Sequence, residues 1–314
     1  HSKSGMPHAE AMAFNNLKKD ARDGTIYVNL EPCCHQGKTP PCVDKIISFG
    51  IKKVFVSIKD PDKRVSGKGI KLLKDAGIKV HLGLCEKESQ ELNKSFIHRN
   101  ITDNAFGVMK WAMSMDGRVG LKNGKSKWIT NKDSRSLVHS FRACFDAIVI
   151  GGNTLRKDDP LLTSRGLRKP EPLRVVFTKT LDLPEESNLW DCKLARTLVV
   201  YDASTADKKF LRKIPEGVEI EELSSDNPIL LSNLLAKKGC NNVFWECGPK
   251  LATSAMKAGC IQELMTFIAP KILGGVSSMN PFSDFEFTDM DEVFNLNEPE
   301  ISFIGDDIFV KSTI

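Results

Sequence analysis

The sequence predicts an α/β protein made of two successive domains. In the first hundred residues helical and strand patterns alternate one for one, which favours parallel strands joined by right-handed helical crossovers. From residue 105 a second α/β pattern begins, with more strands than helices towards its end. The polar stretch RNITDN, around Asp103 and Asn104, is typical of a linker, and 314 residues suit two domains better than one. We therefore expect domains over residues 1–102 and 103–314.

The elements of the first domain follow a regular order. The segment AEAMAFNNLKKDARDG predicts a helix that ends at Gly24, because glycine commonly closes helices. Further helices are predicted for PPCVDKIISFG, GKGIKLLKDAG and EKESQELNKSFIHRN. Strands are predicted for TIYVNLEP, IKKVFVSIKD and IKVHLGL.

The second domain is predicted to contain six strands, three helices and a terminal hairpin. The strands are FGVMKWAMSMDG, DAIVIGG, LRVVFTK, ARTLVVYD, NNVFWECG and ELMTFIAPKIL. The helices are NKDSRSLVHSFRACF, with Asn131 as N-cap, NPILLSNLLAKKG and GPKLATSAMKAG. The tail ISFIGDDIFVKSTI predicts a hairpin around Gly305 and Asp306. The segment GGNTLRKDDPLLTSR lacks apolar periodicity and is predicted to be a polar loop.

Composition limits the kinds of partner. The net charge of +5, from 45 basic and 40 acidic residues, is a mild bias that does not indicate a polyanion. No run approaches the roughly 18 apolar residues of a membrane span. Nine cysteines, an odd number in a chain without a recognisable secretory signal, favour free thiols in a reducing cytoplasm. An aromatic content of 7% gives little support to a protein that stacks nucleic-acid bases.

Two segments predict a metal site. PHAE places His8 and Glu10 at the start of a helix, and EPCCHQGKTPPC places Cys33 after a strand and a proline. Imidazole and thiolate are zinc ligands, a site with three protein ligands keeps a position for water, and a nearby carboxylate can move protons. This arrangement is used by zinc nucleobase deaminases. Their usual Cys-x-x-Cys spacing is absent, so the insert before Cys42 must loop out and return, and its Lys38 could face a substrate phosphate.

Two alternatives remain open for these residues. A structural zinc site with four ligands could use His8 or His35 with the cysteines, or the cysteines could be buried without a metal. Cys34 is adjacent to Cys33 in sequence, so both cannot easily point at one ion, and Cys34 is expected to pack against its neighbours.

Together with KDPDKRVSGKGIKLLKDAGI, these motifs resemble the deaminase half of the bifunctional deaminase/reductase family of riboflavin biosynthesis. The resemblance implies a cytidine-deaminase-like α/β/α domain that holds one Zn²⁺ per chain on His8, Cys33 and Cys42, with Glu10 as the catalytic acid/base. It also implies deaminase substrate contacts by His1, Lys38 and Asp60. Two departures are noted: Asp62 stands where the family has asparagine, and the family's opening strand and helix are expected to be missing, which makes this domain incomplete.

In the second domain, two junctions between strand and helix, AIVIGGNT and VFWECGPKLA, carry glycines that would let a backbone approach phosphates. With MKWAMSMDGRVG, SKWIT, GGNTLRKDDPLLTSR and APKILGG, they resemble the family's NADPH-dependent reductase, which has a dihydrofolate-reductase-like α/β fold. The resemblance implies that NADPH is lined by Ala112, Trp128, Thr154, Asp158, Gly248, Pro249, Lys250, Leu251, Ala252, Thr253 and Ser254. It implies reductase substrate contacts by Lys110, Ser126, Arg142, Leu162, Arg165 and Glu246.

Two details of the second domain are specific to this sequence. Arg142 and Arg165 suit a ribose phosphate, because arginine binds phosphate with two parallel donors and stays charged. Thr178 and Lys179 stand where the family often has Asp-Ser, so this cofactor contact is open, and Lys179 could reach the 2′-phosphate of NADPH.

The expected function is a two-step one. A diaminopyrimidinone ribosyl phosphate would lose an amino group by zinc-dependent hydrolysis, and NADPH would then reduce its ribosyl group to ribityl. The alternatives are a reductase with a non-functional deaminase half, and a zinc deaminase acting on nucleic-acid bases. The resemblance suggests a homodimer or larger assembly through the reductase half. The sequence predicts a cytoplasmic location and neither a nucleic-acid nor a membrane partner.

Overall fold

Each half of the chain forms its own sheet in the computed structural model, which describes residues 6–17, 20–37, 39–63, 65–275 and 279–314. The chain divides into two units, His1–Thr102 and Asp103–Ile314. The mixed α/β class predicted from the sequence is confirmed.

The first unit contains three parallel strands in the order β1-β2-β3. Its elements are α1 (Ala9–Asn15), β1 (Thr25–Leu30), α2 (Cys42–Ser48), β2 (Lys53–Ile58), α3 (Lys68–Asp75), β3 (Lys79–Leu82) and α4 (Glu86–Thr102). Alternate residues of β2, Val54 and Val56, are fully buried and pack with Val43 and Ile46 of α2 and Leu73 of α3. This alternation is the two-residue period of a strand that buries one face.

Helix α1 is shorter than predicted. The prediction of a helix through Gly24 is wrong, because α1 ends at Asn15 and Asn16 is its C-cap. Asparagine side chains compete for backbone hydrogen bonds and disfavour a helix interior. Near Gly24 the chain makes a turn instead, in which the Gly24 N–H donates to the Ala21 carbonyl.

The second unit is built on a sheet of nine strands. Its strands are β4 (Phe106–Ser114), β5 (Ala147–Gly151), β6 (Leu173–Thr178), β7 (Thr197–Asp202), β8 (Glu219–Leu223), β9 (Asn242–Trp245), β10 (Glu263–Ala269), β11 (Asn297–Ile304) and β12 (Asp307–Thr313). Its helices are α5 (Lys132–Cys144), α6 (Gly152–Asp158), α7 (Pro228–Lys237) and α8 (Pro249–Lys257), with short 3₁₀ turns at Asn188–Trp190, Lys208–Lys213 and Met290–Glu292.

The strand order of this sheet is β11-β12-β10-β4-β9-β5-β6-β7-β8. All neighbouring pairs are parallel except those that include β12, which runs antiparallel to β10 and β11. In β5, Val149 belongs to one apolar cluster and Ile148 and Ile150 to another. Residues of α7 and α8 contribute to the first cluster, and residues of α5 and α6 to the second. Helices therefore cover both faces, as parallel sheets require.

The late strand β9 lies between β4 and β5, the first two strands of the second unit. The carboxyl ends of these three parallel strands therefore meet at one edge of the sheet. In open parallel sheets, the crevice where the strand order changes in this way is the usual ligand site.

Several predictions for the second unit are confirmed and two are wrong. The side chain of Asn131 caps α5 by accepting the Ser134 N–H at 2.8 Å, and β11 and β12 form the terminal hairpin. The polar loop is partly wrong, because α6 occupies its first half, anchored by the single fully buried apolar side chain of Leu155. Strand β8 was not predicted, because its sequence EIEEL is acidic and lies at the sheet edge.

No helix in the described part of the chain combines the length and apolarity needed to cross a bilayer. All nine cysteines are free thiols.

Candidate active sites

The start of α1 and the start of α2 bring three soft donors together. His8 Nδ1 lies 3.5 Å from Cys33 Sγ and 3.4 Å from Cys42 Sγ. The ligand atoms of these three residues all lie within 4.8 Å of one another. Cys42 is the first residue of α2, and its backbone N–H donates to Cys33 Sγ at 3.3 Å. The predicted insert thus does return Cys42 to Cys33 and His8.

The electrostatics of the cluster fit a divalent cation. The Cys42 thiol donates a hydrogen bond to Cys33, which with the Cys42 backbone N–H and His8 lowers the pKa of Cys33 to about 5 against the opposing effect of burial. The same hydrogen bond and burial raise the pKa of Cys42. A zinc ion bound at this position would hold both sulfurs as thiolates.

Glu10 lies in the first turn of α1, beside the cluster. Its carboxylate contacts the Cys42 side chain and helps to raise the pKa of that thiol. Glu10 is not among the three residues whose donor atoms converge. A carboxylate beside a metal position, but outside the ligand set, is available for proton transfer.

The sequence left two alternatives to a catalytic metal site: a structural zinc site with four ligands, and buried cysteines without a metal. The geometry gives little support to either. His35 does not join the donor cluster in the described residues, and Cys34 packs against the apolar core of the first unit. Three converging donors leave a position open, which a structural zinc site with four ligands does not.

Glu31 links the metal loop to the predicted substrate loop. Its buried carboxylate accepts the backbone N–H groups of Asp60 at 3.3 Å, Gly67 at 2.8 Å and Ile70 at 3.0 Å. Asp60 is also buried, burial raises its pKa, and its carboxylate accepts the Asp62 N–H at 2.8 Å. Asp62 therefore lies beside Asp60 in the turn. Two predicted substrate residues, His1 and Lys38, lie outside the described residues.

The second site is a nearly buried group of three charges at the carboxyl end of β9, beside the middle of β4. Arg142 on α5 donates to Glu246 from Nε at 2.6 Å and from Nη2 at 3.0 Å. Lys110 of β4 lies 4.0 Å from the same carboxylate. Desolvation and the charge of Arg142 lower the pKa of Lys110 against the effect of Glu246. Desolvation is the largest single effect on Glu246 and raises its pKa, but the charge and hydrogen bond of Arg142 together with the charges of Lys110 and His139 lower the pKa overall.

This geometry changes what Arg142 can do. Two of its donors are used by Glu246 and a third reaches the Thr163 carbonyl at 3.3 Å, so we find Arg142 holding Glu246 rather than presenting a free fork to a phosphate. Arg165 is exposed. The pKa of His139 is lowered first by burial, then by the charge of Arg142 and then by the charge of Arg165. Leu162 is 2% exposed, so only its main chain could meet a ligand.

The glycine junctions of β5 and β9 lie against each other. A Cβ atom on Gly248 would lie 3.7 Å from Thr154 Oγ1, and one on Gly151 would lie 3.6 Å from Leu251. Neither α6 nor α8 has a side-chain N-cap, so the early N–H groups of α8 are open to a ligand. Gly248, Thr154 and the N–H groups at the start of α8 together form a cradle that fits the phosphates of a dinucleotide.

The remaining residues predicted to contact the cofactor differ in how exposed they are. Ala252 and Thr253 are buried in the packing of α8, whereas Lys250 and Ser254 are exposed on it. Pro249 begins α8 and contributes no N–H. Ala112, in β4, packs partly buried against the core.

An open cleft of about 430 Å³ lies beside the loop before α5. It is lined by Asn123, Gly124, Lys125, Ser126, Lys127, Lys157 and Asp158. The structure thus brings Ser126, predicted for substrate, next to Asp158, predicted for cofactor. Trp128 follows directly and is 63% exposed.

The sequence left open whether Thr178 and Lys179 contact the cofactor, and the structure shows what surrounds each of them. Thr178 is buried, and its Oγ1 lies 3.0 Å from where Gly152 would carry a Cβ. Lys179 Nζ binds Asp226 at 3.0 Å on the surface. A contact between Lys179 and a 2′-phosphate stays a prediction.

Sequence reasoning missed two residues that contact these sites, Glu31 and His139. An acidic residue closing an apolar strand was a visible signal for Glu31. His139 lies in a helix with many polar residues, where nothing in the pattern distinguishes it from a solvated side chain.

Comparison with known proteins separates the same two regions. The cytidine and deoxycytidylate deaminase zinc-binding region matches residues 1–58, and the RibD C-terminal domain matches residues 105–310. The riboflavin biosynthesis protein RibD of Synechocystis is 41% identical over 98% of this chain and 83% of its own length. That of Aquifex aeolicus is 35% identical over 99% of this chain and 86% of its own. The chain belongs to the RibD family.

Solved structures of this family agree with the fold. Acinetobacter baumannii RibD superposes with a TM-score of 0.88, at 31% identity, over 100% of this chain and 87% of that one. A diaminohydroxyphosphoribosylaminopyrimidine deaminase/5-amino-6-(5-phosphoribosylamino)uracil reductase from Thermotoga maritima gives a TM-score of 0.86 at 30% identity, over 98% and 85%. As a RibD family member, the chain is a bifunctional deaminase and reductase of riboflavin biosynthesis, with a zinc-binding deaminase region and an NADPH-dependent reductase domain.

Proposed function

We propose that residues 1–102 deaminate a diaminopyrimidinone ribosyl phosphate by hydrolysis, and that residues 103–314 reduce the ribosyl group of the product to ribityl with NADPH. The observation that carries this proposal is the convergence of His8, Cys33 and Cys42 beside Glu10, in the same chain as the buried group of Lys110, Arg142 and Glu246.

For the deamination, His8, Cys33 and Cys42 would hold a zinc ion, whose chemistry is to lower the pKa of water and make it a nucleophile at neutral pH. Glu10 accepts the proton of the attacking water and delivers it to the departing amino group, so that ammonia leaves and a carbonyl forms on the ring. The loop of Asp60 and Asp62, together with His1 and Lys38, holds the substrate. Glu31 fixes that loop relative to Cys33 through its three backbone hydrogen bonds.

For the reduction, NADPH would supply a hydride to the sugar carbon attached to the amine, after the bond between that carbon and the sugar-ring oxygen has broken to leave an imine. Glu246, held by Arg142, accepts hydrogen bonds from the substrate, while Arg165, Ser126 and the main chain at Leu162 orient its ribose phosphate. Lys110 and Asp158 are the candidates for the proton donor. Burial and the charge of Arg142 lower the pKa of Lys110 against the opposing charge of Glu246, which makes its ammonium a better acid than a solvated lysine.

The cofactor would bind in the crevice at the carboxyl ends of β5 and β9. The turn from Gly248 through Ser254 and the neighbouring Thr154 would hold its phosphates, and Ala112, Trp128 and Asp158 would contact the rest of it.

The full chain is also proposed to form a homodimer or larger assembly in the cytoplasm. Edge strand β11 exposes Ile301 at 66% and Phe303 at 74%, a surface suited to pairing with a second copy. Light scattering of the purified chain tests this; a monomer at micromolar concentration contradicts it.

The function is tested by incubating the chain with the diaminopyrimidinone ribosyl phosphate, with and without NADPH, and identifying products by mass spectrometry. Without NADPH we expect the deaminated ribosyl compound, and with NADPH the deaminated ribityl compound. Reduction of the preformed deaminated compound without any deamination would support a reductase alone. No change under either condition contradicts both activities.

A further inference from the structure

Trp128 differs from the other tryptophans of the chain in being on the surface. It is 63% exposed, whereas Trp245 is 1% exposed and Trp111 and Trp190 are partly buried. Single exposed apolar residues are common, so exposure alone carries no argument. What sets Trp128 apart is how firmly its surroundings hold it.

Two cations fix the main chain from Trp128 to Thr130. Lys271 Nζ donates to the carbonyls of Trp128 at 2.9 Å and Ile129 at 2.6 Å. Arg135 Nη1 donates to the carbonyl of Thr130 at 2.6 Å. Three successive carbonyls are thus each bound by a charged donor, and such bonds are stronger than neutral ones.

The segment is also fixed at its end. The backbone N–H of Asn131 donates to Asp307 at 2.8 Å, and the hydroxyl of Ser134 donates to the same buried carboxylate at 2.6 Å. The position of the indole is therefore set before any ligand binds.

Arg135 also covers one face of the indole. Its guanidinium carbon lies 4.4 Å from the ring centroid, which is a cation–π contact. Because Thr130 holds the same guanidinium, the cation cannot move away without losing a hydrogen bond. The exposed part of Trp128 is then its opposite face and edge.

The two cations beside the exposed indole face, Arg135 and Lys271, are not neutralised by acidic groups within the described residues. Neither Arg135 nor Lys271 has a carboxylate within ion-pair distance in the described part of the chain. A flat aromatic face bordered by two cations matches a ligand with a planar ring and phosphate groups, which is the chemistry of NADPH.

We infer that Arg135 is a positioning residue for the cofactor: it holds Trp128 so that the free indole face stacks on a planar ring of NADPH. This inference rests on the proposed NADPH site and adds a residue to it. Without the guanidinium, the indole would have to be ordered on binding, and the cation–π contact would be lost. These two costs correspond to about a two- to ten-fold rise in the Kd for NADPH.

The test compares R135M, which keeps the apolar stem, with R135K, which keeps the charge, in the full chain. R196M is the matched control, because Arg196 is an exposed arginine of the same unit that pairs with Glu219. NADPH binding is measured in two ways: by calorimetry, which does not depend on Trp128, and by quenching of tryptophan emission, with W128F to assign the signal.

We expect R135M to raise the calorimetric Kd and reduce the quenching, R135K to restore part of both, and R196M to match the wild type. A rise in KM for NADPH with little change in kcat would agree with this role. If R135M binds NADPH as tightly as the wild type and with the same quenching, the inference fails while the proposed function stands. If the wild-type chain does not bind NADPH in calorimetry, the proposed reductase function itself fails. If R135M does not fold, the comparison of R135K with the wild type decides.

Discussion

Arg142 donates two hydrogen bonds to Glu246, at 2.6 Å and 3.0 Å, across the carboxyl end of the second unit's sheet. Both side chains are nearly buried, at 12% and 11% exposure, and Lys110 lies 4.0 Å from the same carboxylate. Breaking a buried ion pair by removing one partner costs about 3–5 kcal/mol, because the other charge stays desolvated.

R142M should therefore lower the free energy of unfolding of the second unit by about 3–5 kcal/mol and abolish reduction, because Glu246 loses its support. Replacing both partners, as R142M/E246Q, should recover much of the stability but no activity. Tryptophan emission during denaturant unfolding reports on this unit alone, since all four tryptophans lie in it. Equal stability of R142M and the wild type would contradict a structural role for the pair.

Zinc binding should depend on the three converging donors. C42S and H8A should each lose most of the metal, because two remaining ligands cannot hold it, and deamination should disappear while reduction of the deaminated compound persists. Metal analysis of the purified chain measures this directly. C85S is the control, since Cys85 is an exposed thiol of the same unit. Full zinc content in C42S would contradict the ligand assignment.

E10Q should keep the zinc and lose catalysis. General acid–base catalysis typically accelerates a reaction by a factor of about 10²–10⁴. We therefore expect the deamination rate to fall by a factor of about 10²–10⁴ while the metal content stays unchanged. E88Q, on the exposed side of α4, should behave as the wild type. A deamination rate for E10Q within about two-fold of the wild type would exclude Glu10 as the proton carrier.

Asp116 should make stability depend on pH in the acid range. A hydrogen bond from Ser114, then those from the backbone of Leu273 and Gly274, lower the pKa of Asp116 to about 2. The ionised form is favoured on folding, so its contribution is complete above the unfolded pKa of about 3.9 and is lost as the pH falls towards 2.

D116N should accordingly be less stable than the wild type at pH 7, and the difference should shrink as the pH falls below about 4. Thermal unfolding of both chains over this range measures the difference. A difference that is constant with pH would show that the carboxylate charge is not what holds the turn.

The sequence was most informative where a pattern has only one structural explanation. The apolar run of β5 and the mostly apolar run of β6 predict buried parallel strands, and Asn131 predicts the start of α5, where its side chain does cap the helix. The acidic strand β8 and the polar helix α6 were not predicted, because tertiary packing of a few side chains outweighs their local pattern.

The site residues likewise differ in how far a local sequence pattern could predict them. Chemistry indicated a metal site near His8 and Cys33, and the family resemblance implied the set His8, Cys33 and Cys42, but only the structure shows their donor atoms within 4.8 Å of one another. Lys110, Arg142 and Glu246 lie more than 30 residues apart in the sequence, and no local signal indicates that they share one site. The role of Arg135 depends on a ring and a carbonyl that fold back onto it, which a linear pattern does not reveal.

The most direct test of the two-site account labels both reactions at once. The full chain converts the diaminopyrimidinone ribosyl phosphate in heavy-oxygen water with NADPH deuterated at its hydride position, and the product is weighed by mass spectrometry. We predict a ribityl product that carries one heavy oxygen on the ring and one deuterium on the side chain. A ribityl product without heavy oxygen, or a deaminated product without deuterium after exhaustive reaction, would contradict the claim that this one chain performs both steps.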